Sequence, residues 1–222
     1  MANDHPSGGD AYRPIAPFLP LLDRLLELAL AHVRRGVVRL LRERGAHRVL
    51  DLGCGTGPLS RRLADAGLLP VCLDASPTML AGALGRACRP PRFPVVLGDA
   101  RRLPFGPVFD AVVLSLALHE MDPPLRAAAW AEMHRVLRPD GVLVVVDFTL
   151  PERPGQMSRL AGAVIAGIER RAGWMHPPHY ANYRALMAYG GLTTWISAHG
   201  GRVLAERHHF WGNLGVVVVA AR

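Results

Sequence analysis

Residues 49–60, which read VLDLGCGTGPLS, decide the fold of this 222-residue chain. An apolar run ends in a loop with glycine at every second position, and the pattern of a helix follows at once. Glycines permit a positive φ and let the backbone approach a ligand closely. The N-terminus of the helix adds free N–H groups and a partial positive charge. The stretch therefore predicts a strand, loop and helix that together bind a carboxylate or a phosphate.

The spacing of the glycines excludes two common nucleotide-binding loops. A dinucleotide fingerprint needs G-x-G-x-x-G, but the third glycine position falls on Pro58 when counted from Gly53, and on Ser60 when counted from Gly55. A phosphate-binding P-loop needs Gly-Lys-Ser/Thr, and the chain contains no lysine. We therefore expect neither a nicotinamide or flavin dinucleotide nor a nucleoside triphosphate as the ligand.

Short apolar runs alternate with helical periodicity on the C-terminal side of this loop. The runs are rich in Val and Leu, which is typical of parallel strands buried on both faces. The predicted strands are Val49–Leu52, Val71–Leu73, Val95–Leu97, Ala111–Leu116 and Val142–Phe148. The predicted helices between them are Leu59–Ala66, Thr78–Cys88 and Leu125–Leu137. This alternation predicts an α/β fold with a doubly wound, mostly parallel, seven-stranded Rossmann-like sheet.

The remaining segments are interpreted as parts of the same single domain. Residues 1–44 are predicted to form a loose arm over 1–14 and an amphipathic helix that breaks at Gly36. Residues 45–150 form the core, and residues 151–200 form a helical insert that acts as a lid over the substrate. Residues 201–222 form two antiparallel strands that complete the sheet.

Two acids follow the second and third predicted strands. Asp74 comes at the end of the second strand, where an acid accepts hydrogen bonds from both hydroxyls of a ribose. Ser76, followed by Pro77, is the better candidate for the N-cap of the next helix, which leaves Asp74 for a ligand. Asp99 follows the third strand. With Asp51, these acids lie at the carboxyl ends of parallel strands, which indicates a nucleoside-bearing cofactor at the switch point of the sheet.

Five stretches resemble the class I S-adenosylmethionine (SAM)-dependent methyltransferases of the type-11 family, which includes enzymes similar to demethylmenaquinone methyltransferase. They read VLDLGCGTGPLS at 49–60, VCLDASPTML at 71–80, GDARRLPF at 98–105, FDAVVLSLALHEM at 109–121 and HRVLRPDGVLVVVDF at 134–148. The resemblance covers residues 45–150. It implies an enzyme with SAM as its cofactor, and it leaves the substrate open because the N-terminal helix and the insert are the least shared parts.

The resemblance also assigns the cofactor-binding residues, all at or just beyond the ends of the predicted strands. The methionine part of SAM is assigned to Asp51, Gly53, Cys54, Gly55 and Gly57. The ribose is assigned to Asp74, the adenine to Ala75, Met79, Asp99 and Ala100, and the floor of the site to Ser115.

The catalytic candidates are His119 and Glu120, which follow the fourth strand, where the loops face the cofactor. A histidine can take a proton near neutral pH, and a base is needed only if the acceptor carries a proton with a high pKa. The alternative for His119 is packing at the mouth of the site. Candidate acceptor-binding residues in the insert are Trp174, His179, Tyr180, Tyr183 and Arg184, and core packing is the alternative for the aromatic residues.

No metal site is expected. Cys54, Cys72 and Cys88 have no C-x-x-C spacing, which suits a reducing cytoplasm. His208–His209 is interpreted as strand surface. Asp122-Pro123-Pro124-Leu125 is interpreted as a helix cap, and not as the D-P-P-aromatic motif of base-methylating enzymes, because it ends in leucine.

The expected function is cytoplasmic transfer of a methyl group to oxygen or carbon of a small, partly apolar acceptor. Methylation of nucleic acid or protein by the same fold, and a non-catalytic SAM-fold binding module, are the alternatives. The net charge of +8 comes from scattered arginines rather than one basic face, so nucleic acid is the less favoured partner. No transmembrane segment is expected. The basic N-terminal helix leaves contact with a membrane surface open. The sequence does not determine the oligomeric state.

Overall fold

The computed structural model describes residues 10, 12–175 and 177–221. In this part of the chain, seven strands form one sheet. They are β1 (Arg48–Leu52), β2 (Leu69–Asp74), β3 (Val95–Leu97), β4 (Phe109–Ser115), β5 (Leu137–Phe148), β6 (Val203–His209) and β7 (Leu214–Ala220). The order is β3-β2-β1-β4-β5-β7-β6; the first five strands run parallel, and β7 is antiparallel to both β5 and β6. The predicted fold class is confirmed, and the strand order reverses between β1 and β4.

Helices cover both faces of this sheet. The described residues form α1 (Leu19–Glu43), α2 (Pro58–Asp65), α3 (Pro77–Ala87), α4 (Pro123–Val136), α5 (Gln156–Met175), α6 (Pro177–Ala188) and α7 (Gly191–Ala198). The last three occupy the segment that the sequence predicts as an insert, between β5 and β6. Within the described residues, no helix combines the length and the apolar character that crossing a bilayer requires.

Alternate residues of the central strands face opposite helical layers. In β4, Leu114 packs in the cluster that contains Met133 of α4, whereas Val113 packs in the cluster that contains Val33 of α1. Side chains of a strand alternate between its two faces, so a strand covered on both sides must be apolar at every position. Each fully buried Leu or Val contributes roughly 1.5–3 kcal/mol. This double burial is the physical reason for the continuous apolar runs.

Two helix starts agree with the predicted capping chemistry. The Ser76 hydroxyl accepts a hydrogen bond from the Met79 N–H at 3.1 Å, at the N-cap of α3. The Asp122 carboxylate accepts from the Leu125 N–H at 2.8 Å, at the N-cap of α4. A cap of this kind contributes about 1 kcal/mol. Both predicted caps are confirmed, and Asp122 is explained by the helix it starts.

One prediction for the N-terminal region is wrong, and another lies mostly outside the described residues. The helix does not break at Gly36, because α1 continues to Glu43 and buries Val33 and Val37 on either side of the glycine. A glycine inside a helix costs about 1 kcal/mol relative to alanine, which this burial exceeds. Most of the predicted loose arm, residues 1–9 and 11, lies outside the described residues. Asp10 and Tyr12 are held in place, because both hydrogen-bond to residues beyond the arm.

Candidate active site

The glycine loop lies between β1 and α2, next to the point where the strand order reverses. Gly53, Gly55 and Gly57 have φ values of +63°, +56° and +79°, which side-chain-bearing residues rarely adopt. A Cβ on Gly53 would lie 2.9 Å from the Cβ of Ala117, so glycine is needed where the loop passes the segment after β4. A Cβ on Gly55 would meet no described atom within 4 Å. The loop therefore presents bare backbone to an open space.

Asp51 and Asp74 lie together beside this loop. Asp51 is on β1, opposite Cys72 of the neighbouring strand β2, which ends at Asp74. The Asp74 carboxylate accepts hydrogen bonds from the Gly55 N–H at 2.8 Å and from the Ser76 N–H at 2.9 Å. The structure thus brings the first two predicted acids together beside the glycine loop. We call the group formed by Gly53–Gly57, Asp51 and Asp74 the rim.

Asp51 is buried and Asp74 is half-buried, and the loss of water changes the protonation of both. Asp51 is 1% exposed and accepts a hydrogen bond from the Ser60 hydroxyl at 2.6 Å. Burial raises the pKa of Asp51 to about 6, because loss of water disfavours the ionised form more than Ser60 and Arg34 favour it. Burial also raises the pKa of Asp74. A ligand with an ammonium group would stabilise the ionised carboxylates, so the rim fits the amino acid part and the sulfonium charge of SAM.

Asp99 lies beyond β3, on the same edge of the sheet but in a wetter environment. Gly98 donates its N–H to the Asp74 carbonyl at 3.0 Å, which places Asp99 next to the second acid. Its carboxylate pairs with Arg101 at 2.6 Å, and hydrogen bonds from Arg101 lower the pKa of Asp99. An exposed ion pair contributes at most about 1 kcal/mol, so a ligand amine can replace Arg101 at small cost.

The smaller predicted cofactor residues surround these acids. The Cys54 N–H donates to the Leu73 carbonyl at 3.1 Å and ties the loop to β2. Ala75 is exposed, and the remaining three are half-buried: Met79, Ala100 and Ser115.

Sequence reasoning missed two residues of the N-terminal segment that reach the rim. The Asp10 carboxylate accepts hydrogen bonds from the Ser76 hydroxyl at 2.7 Å and from the Thr78 N–H at 2.8 Å. The Tyr12 hydroxyl donates to Glu120, and burial together with the Glu120 charge raises the pKa of Tyr12, so the phenol keeps its proton. In the sequence, the one sign of this role is that Tyr12 is a single tyrosine in a stretch rich in Gly, Pro and Asp.

A buried network of histidines and acids follows β4 and β5. His119 is 3% exposed; its Nδ1 lies 2.8 Å from Asp147 Oδ1, and its backbone N–H donates to Asp147 Oδ2 at 3.1 Å. Glu169 of α5 lies 3.6 Å from His119 Nε2 and 2.5 Å from His179 Nε2. Burial alone would lower the pKa of His119, but the charges of Asp147, Glu120 and Glu169 raise it to about 9. His119 therefore holds a proton at neutral pH in the free protein.

The predicted acceptor residues do not lie together: some are at the surface, and others lie beside the buried network. Trp174 is 74% exposed, with Arg171 over its ring, and Arg184 is exposed, so both lie on the surface and not within the buried network. Tyr183 is buried, with its ring 6.4 Å from that of His119 and stacked 6.1 Å from that of Tyr180.

A cavity of about 290 Å³ opens beside this network, under helices α5 and α6. Its lining is mainly apolar and comprises Phe148, Leu150, Gly162, Ile165, Tyr183, Met187 and Asn213. The Phe148 ring lies 4.7 Å from the His119 ring, so the cavity and the histidines share a wall. The structure therefore places an apolar space next to ionisable groups.

Relatives in sequence match the core of the chain. Residues 49–141 match the family model described as a methyltransferase domain. A demethylmenaquinone methyltransferase from Beutenbergia cavernae is 44% identical over 119 residues, which are 53% of this chain and 48% of that protein. An uncharacterized methyltransferase from Synechocystis is 45% identical over 106 residues, which are 47% of this chain and 48% of that protein. The chain thus spans about half the length of the curated relatives it matches.

Solved structures share the architecture more widely. The crystal structure of TnmH superposes with a TM-score of 0.69 at 20% identity and covers 95% of this chain and 61% of that one. Magnesium protoporphyrin IX methyltransferase from Synechocystis, solved with bound SAH, gives a TM-score of 0.59 at 19% identity, covering 86% of this chain and 83% of that one. At these identities the likeness concerns the fold, and it agrees with the strand order described above.

Proposed function

We propose that this chain, whose residues 49–141 match the family model described as a methyltransferase domain, transfers the methyl group of SAM to oxygen or carbon of a small, partly apolar acceptor. The observation that carries the proposal is the rim where the glycine loop, Asp51 and Asp74 meet. A buried and a half-buried acid with raised pKa values, beside bare backbone, are suited to a cationic, nucleoside-bearing ligand.

Each part of the rim has a proposed task in binding SAM. The Gly53–Gly57 backbone and the N-terminus of α2 hold the carboxylate, and Asp51 stabilises the ammonium group. Asp74 accepts the ribose hydroxyls, in exchange for the Gly55 N–H that it binds in the free protein. Asp99 accepts the adenine amine. Ala75, Met79, Ala100 and Ser115 supply contacts to the base and to the floor of the site.

The acceptor is proposed to enter from the side of the insert. The 290 Å³ cavity between β5 and the helices α5 and α6 is bounded by apolar side chains, and Tyr183 and Phe148 connect it to His119. Such a cavity suits a small ring or a short apolar chain rather than a polymer. The name of the demethylmenaquinone relative is consistent with a partly apolar acceptor, but that protein shares only about half its length with this chain.

When bound, SAM supplies a methyl group on a sulfonium, whose displacement leaves a neutral thioether. The chain aligns donor and acceptor, which by itself can supply roughly 7–11 kcal/mol of the barrier. For a hydroxyl acceptor we propose Glu120 as the proton acceptor. It stands at the rim, in contact with Tyr12. His119, held by Asp147, positions the segment that carries Glu120 and borders the acceptor.

The test is turnover of labelled SAM with a panel of small phenols, quinols and carboxylic acids. We expect S-adenosylhomocysteine and a labelled product with at least one of them, and loss of both in Asp74→Ala. Tight SAM binding without turnover on any small molecule, nucleic acid or protein would leave a non-catalytic binding module. Turnover restricted to nucleic acid, with affinity that falls steeply with added salt, would contradict the small-molecule acceptor.

A further inference from the structure

We propose that His119, Glu169 and His179 form a binding site for one divalent first-row transition-metal ion, with Zn²⁺ as the reference ion. Their ligand atoms all lie within 4.8 Å of one another. Two imidazole nitrogens and one carboxylate oxygen form a set of protein ligands typical of such ions. The metal's task in catalysis rests on the proposed function, whereas metal binding itself does not.

The distances in the free protein are close to those of a metal site. Glu169 Oε2 is 3.6 Å from His119 Nε2 and 2.5 Å from His179 Nε2. Ligands about 2.0–2.2 Å from a tetrahedral ion lie roughly 3.3–3.5 Å apart, between these two values. The two histidine rings are perpendicular, with centroids 5.5 Å apart, so both edges reach the same space. Coordination would require Glu169 Oε2 and His179 Nε2 to move apart from their present 2.5 Å, whereas the 3.6 Å between Glu169 Oε2 and His119 Nε2 is already close to the expected separation.

The outer nitrogen of each histidine faces a carboxylate, an arrangement common around metal sites. His119 Nδ1 lies 2.8 Å from Asp147 Oδ1, which leaves Nε2 as the ligand atom. His179 Nδ1 lies 3.8 Å from Glu120 Oε1, on the side away from Glu169, which is close enough for an ion pair but longer than a hydrogen bond. A metal-bound histidine almost always donates its other ring N–H to a carboxylate or a carbonyl, because that bond sets the tautomer and raises the basicity of the ligand.

Burial makes a cation favourable at this position. Asp147 is 0% and Glu169 7% exposed, and Glu120 lies beside them. Buried carboxylates are costly unless a cation or a hydrogen-bond donor compensates them. The neighbouring Arg126 directs N–H groups to the carbonyls of Leu118, His119 and Asn182. A divalent ion bound between His119, Glu169 and His179 would place positive charge next to these acids.

The site would join the insert to the core. His119 follows β4 of the core, whereas Glu169 and His179 belong to α5 and α6 of the insert. Three protein ligands leave at least one coordination position of a tetrahedral ion for water or an acceptor oxygen. The acceptor class would therefore be small molecules with a hydroxyl or keto oxygen next to an apolar part, which fills the cavity at Tyr183 and Phe148.

The test begins with chelator-treated full-length protein, titrated with Co²⁺ in an absorption spectrometer and with Zn²⁺ in a calorimeter. We expect one ion per chain, visible Co²⁺ bands of a four- or five-coordinate site, and two imidazoles in the X-ray absorption spectrum of the Zn²⁺ form. Glu169→Gln and His179→Ala should each weaken Zn²⁺ binding by more than about 100-fold, because removal of an outer carboxylate alone costs about 10–100-fold. Asp147→Asn should fall within that smaller range.

His208→Asn is the matched control. His208 Nε2 also faces a carboxylate, Glu206, at 3.3 Å, but it lies exposed on β6. The control should bind Zn²⁺ as tightly as the wild type. Absence of Zn²⁺ binding by the wild type, fewer than two imidazoles in its absorption spectrum, or equal affinity in Glu169→Gln, His179→Ala and His208→Asn would overturn the proposed site.

SAM affinity, measured on the same preparations, separates this proposal from the proposed function. Retained SAM binding in the variants shows that they are folded, and the wild-type absorption spectrum tests the site even if a variant does not fold. Metal binding without SAM binding would contradict only the proposed function. SAM turnover by a protein that binds no metal would contradict only the metal site.

Discussion

The Asp51→Asn substitution tests the electrostatics of the rim quantitatively. Asp51 is buried and its pKa rises from 3.8 to about 6 on folding. Because the folded pKa lies above the unfolded one, the ionised form destabilises the fold. The contribution of Asp51 to the free energy of unfolding is therefore highest below pH 4 and falls by about 3 kcal/mol as the pH rises through 6, at about 1.36 kcal/mol per pKa unit. Asparagine removes this loss, and its amide oxygen can still accept the Ser60 hydrogen bond.

The assay is urea unfolding of both proteins, without ligand, between pH 5 and pH 8. We expect the stability difference in favour of Asp51→Asn to increase with pH, from about half of its final value at pH 5 to about 3 kcal/mol at pH 8. SAM affinity should fall, because an amide cannot stabilise an ammonium group as a carboxylate does. Asp65→Asn, at an exposed carboxylate of α2, is the control and should show no such pH dependence. A variant that is less stable than the wild type at pH 8 would refute the reasoning.

Three further substitutions test the neighbouring assignments. Asp74→Ala removes the acceptor of the ribose hydroxyls. Because a hydrogen bond to a charged group is worth about 1.5–3 kcal/mol, we expect the SAM affinity measured by calorimetry to fall about 10–100-fold. Unchanged affinity would contradict the assignment. Asp122→Ala removes the hydrogen bond to Leu125 and should lower the free energy of unfolding by about 1 kcal/mol in urea, with SAM affinity unchanged. Tyr12→Phe removes the contact with Glu120, and we expect weaker SAM binding with stability within about 1 kcal/mol of the wild type; equal SAM affinity would exclude the tyrosine from the site.

The parts that sequence reasoning predicted are those determined by local chemistry. The positive φ of Gly53 and the cap at Ser76 depend on a few neighbouring residues, and both are legible in the sequence. The wrong prediction at Gly36 has a tertiary cause: packing of Val33 and Val37 against the sheet outweighs the low helix propensity of glycine. Local rules account for the start of an element better than for its continuation.

Sequence reasoning did not predict that two histidines and a glutamate would form a cluster. His119, Glu169 and His179 come from three elements, and their spacing matches no metal-binding motif. The spacing of the cysteines gives no indication of a metal site, and the ligand set that the structure brings together contains no cysteine. Only the packing of α5 and α6 against the end of β4 reveals that a glutamate and a histidine of the insert meet a histidine of the core.

The most direct test of the account is a crystal structure of the protein with S-adenosylhomocysteine. We expect its ribose hydroxyls within hydrogen-bond distance of the Asp74 carboxylate, its carboxylate over the Gly53–Gly57 loop, and its adenine amine at Asp99. The clearest contradiction would be density elsewhere, such as in the groove of about 910 Å³ between α1, α2 and α3 that Asp23 and Arg86 line, with the rim of Asp51 and Asp74 left empty.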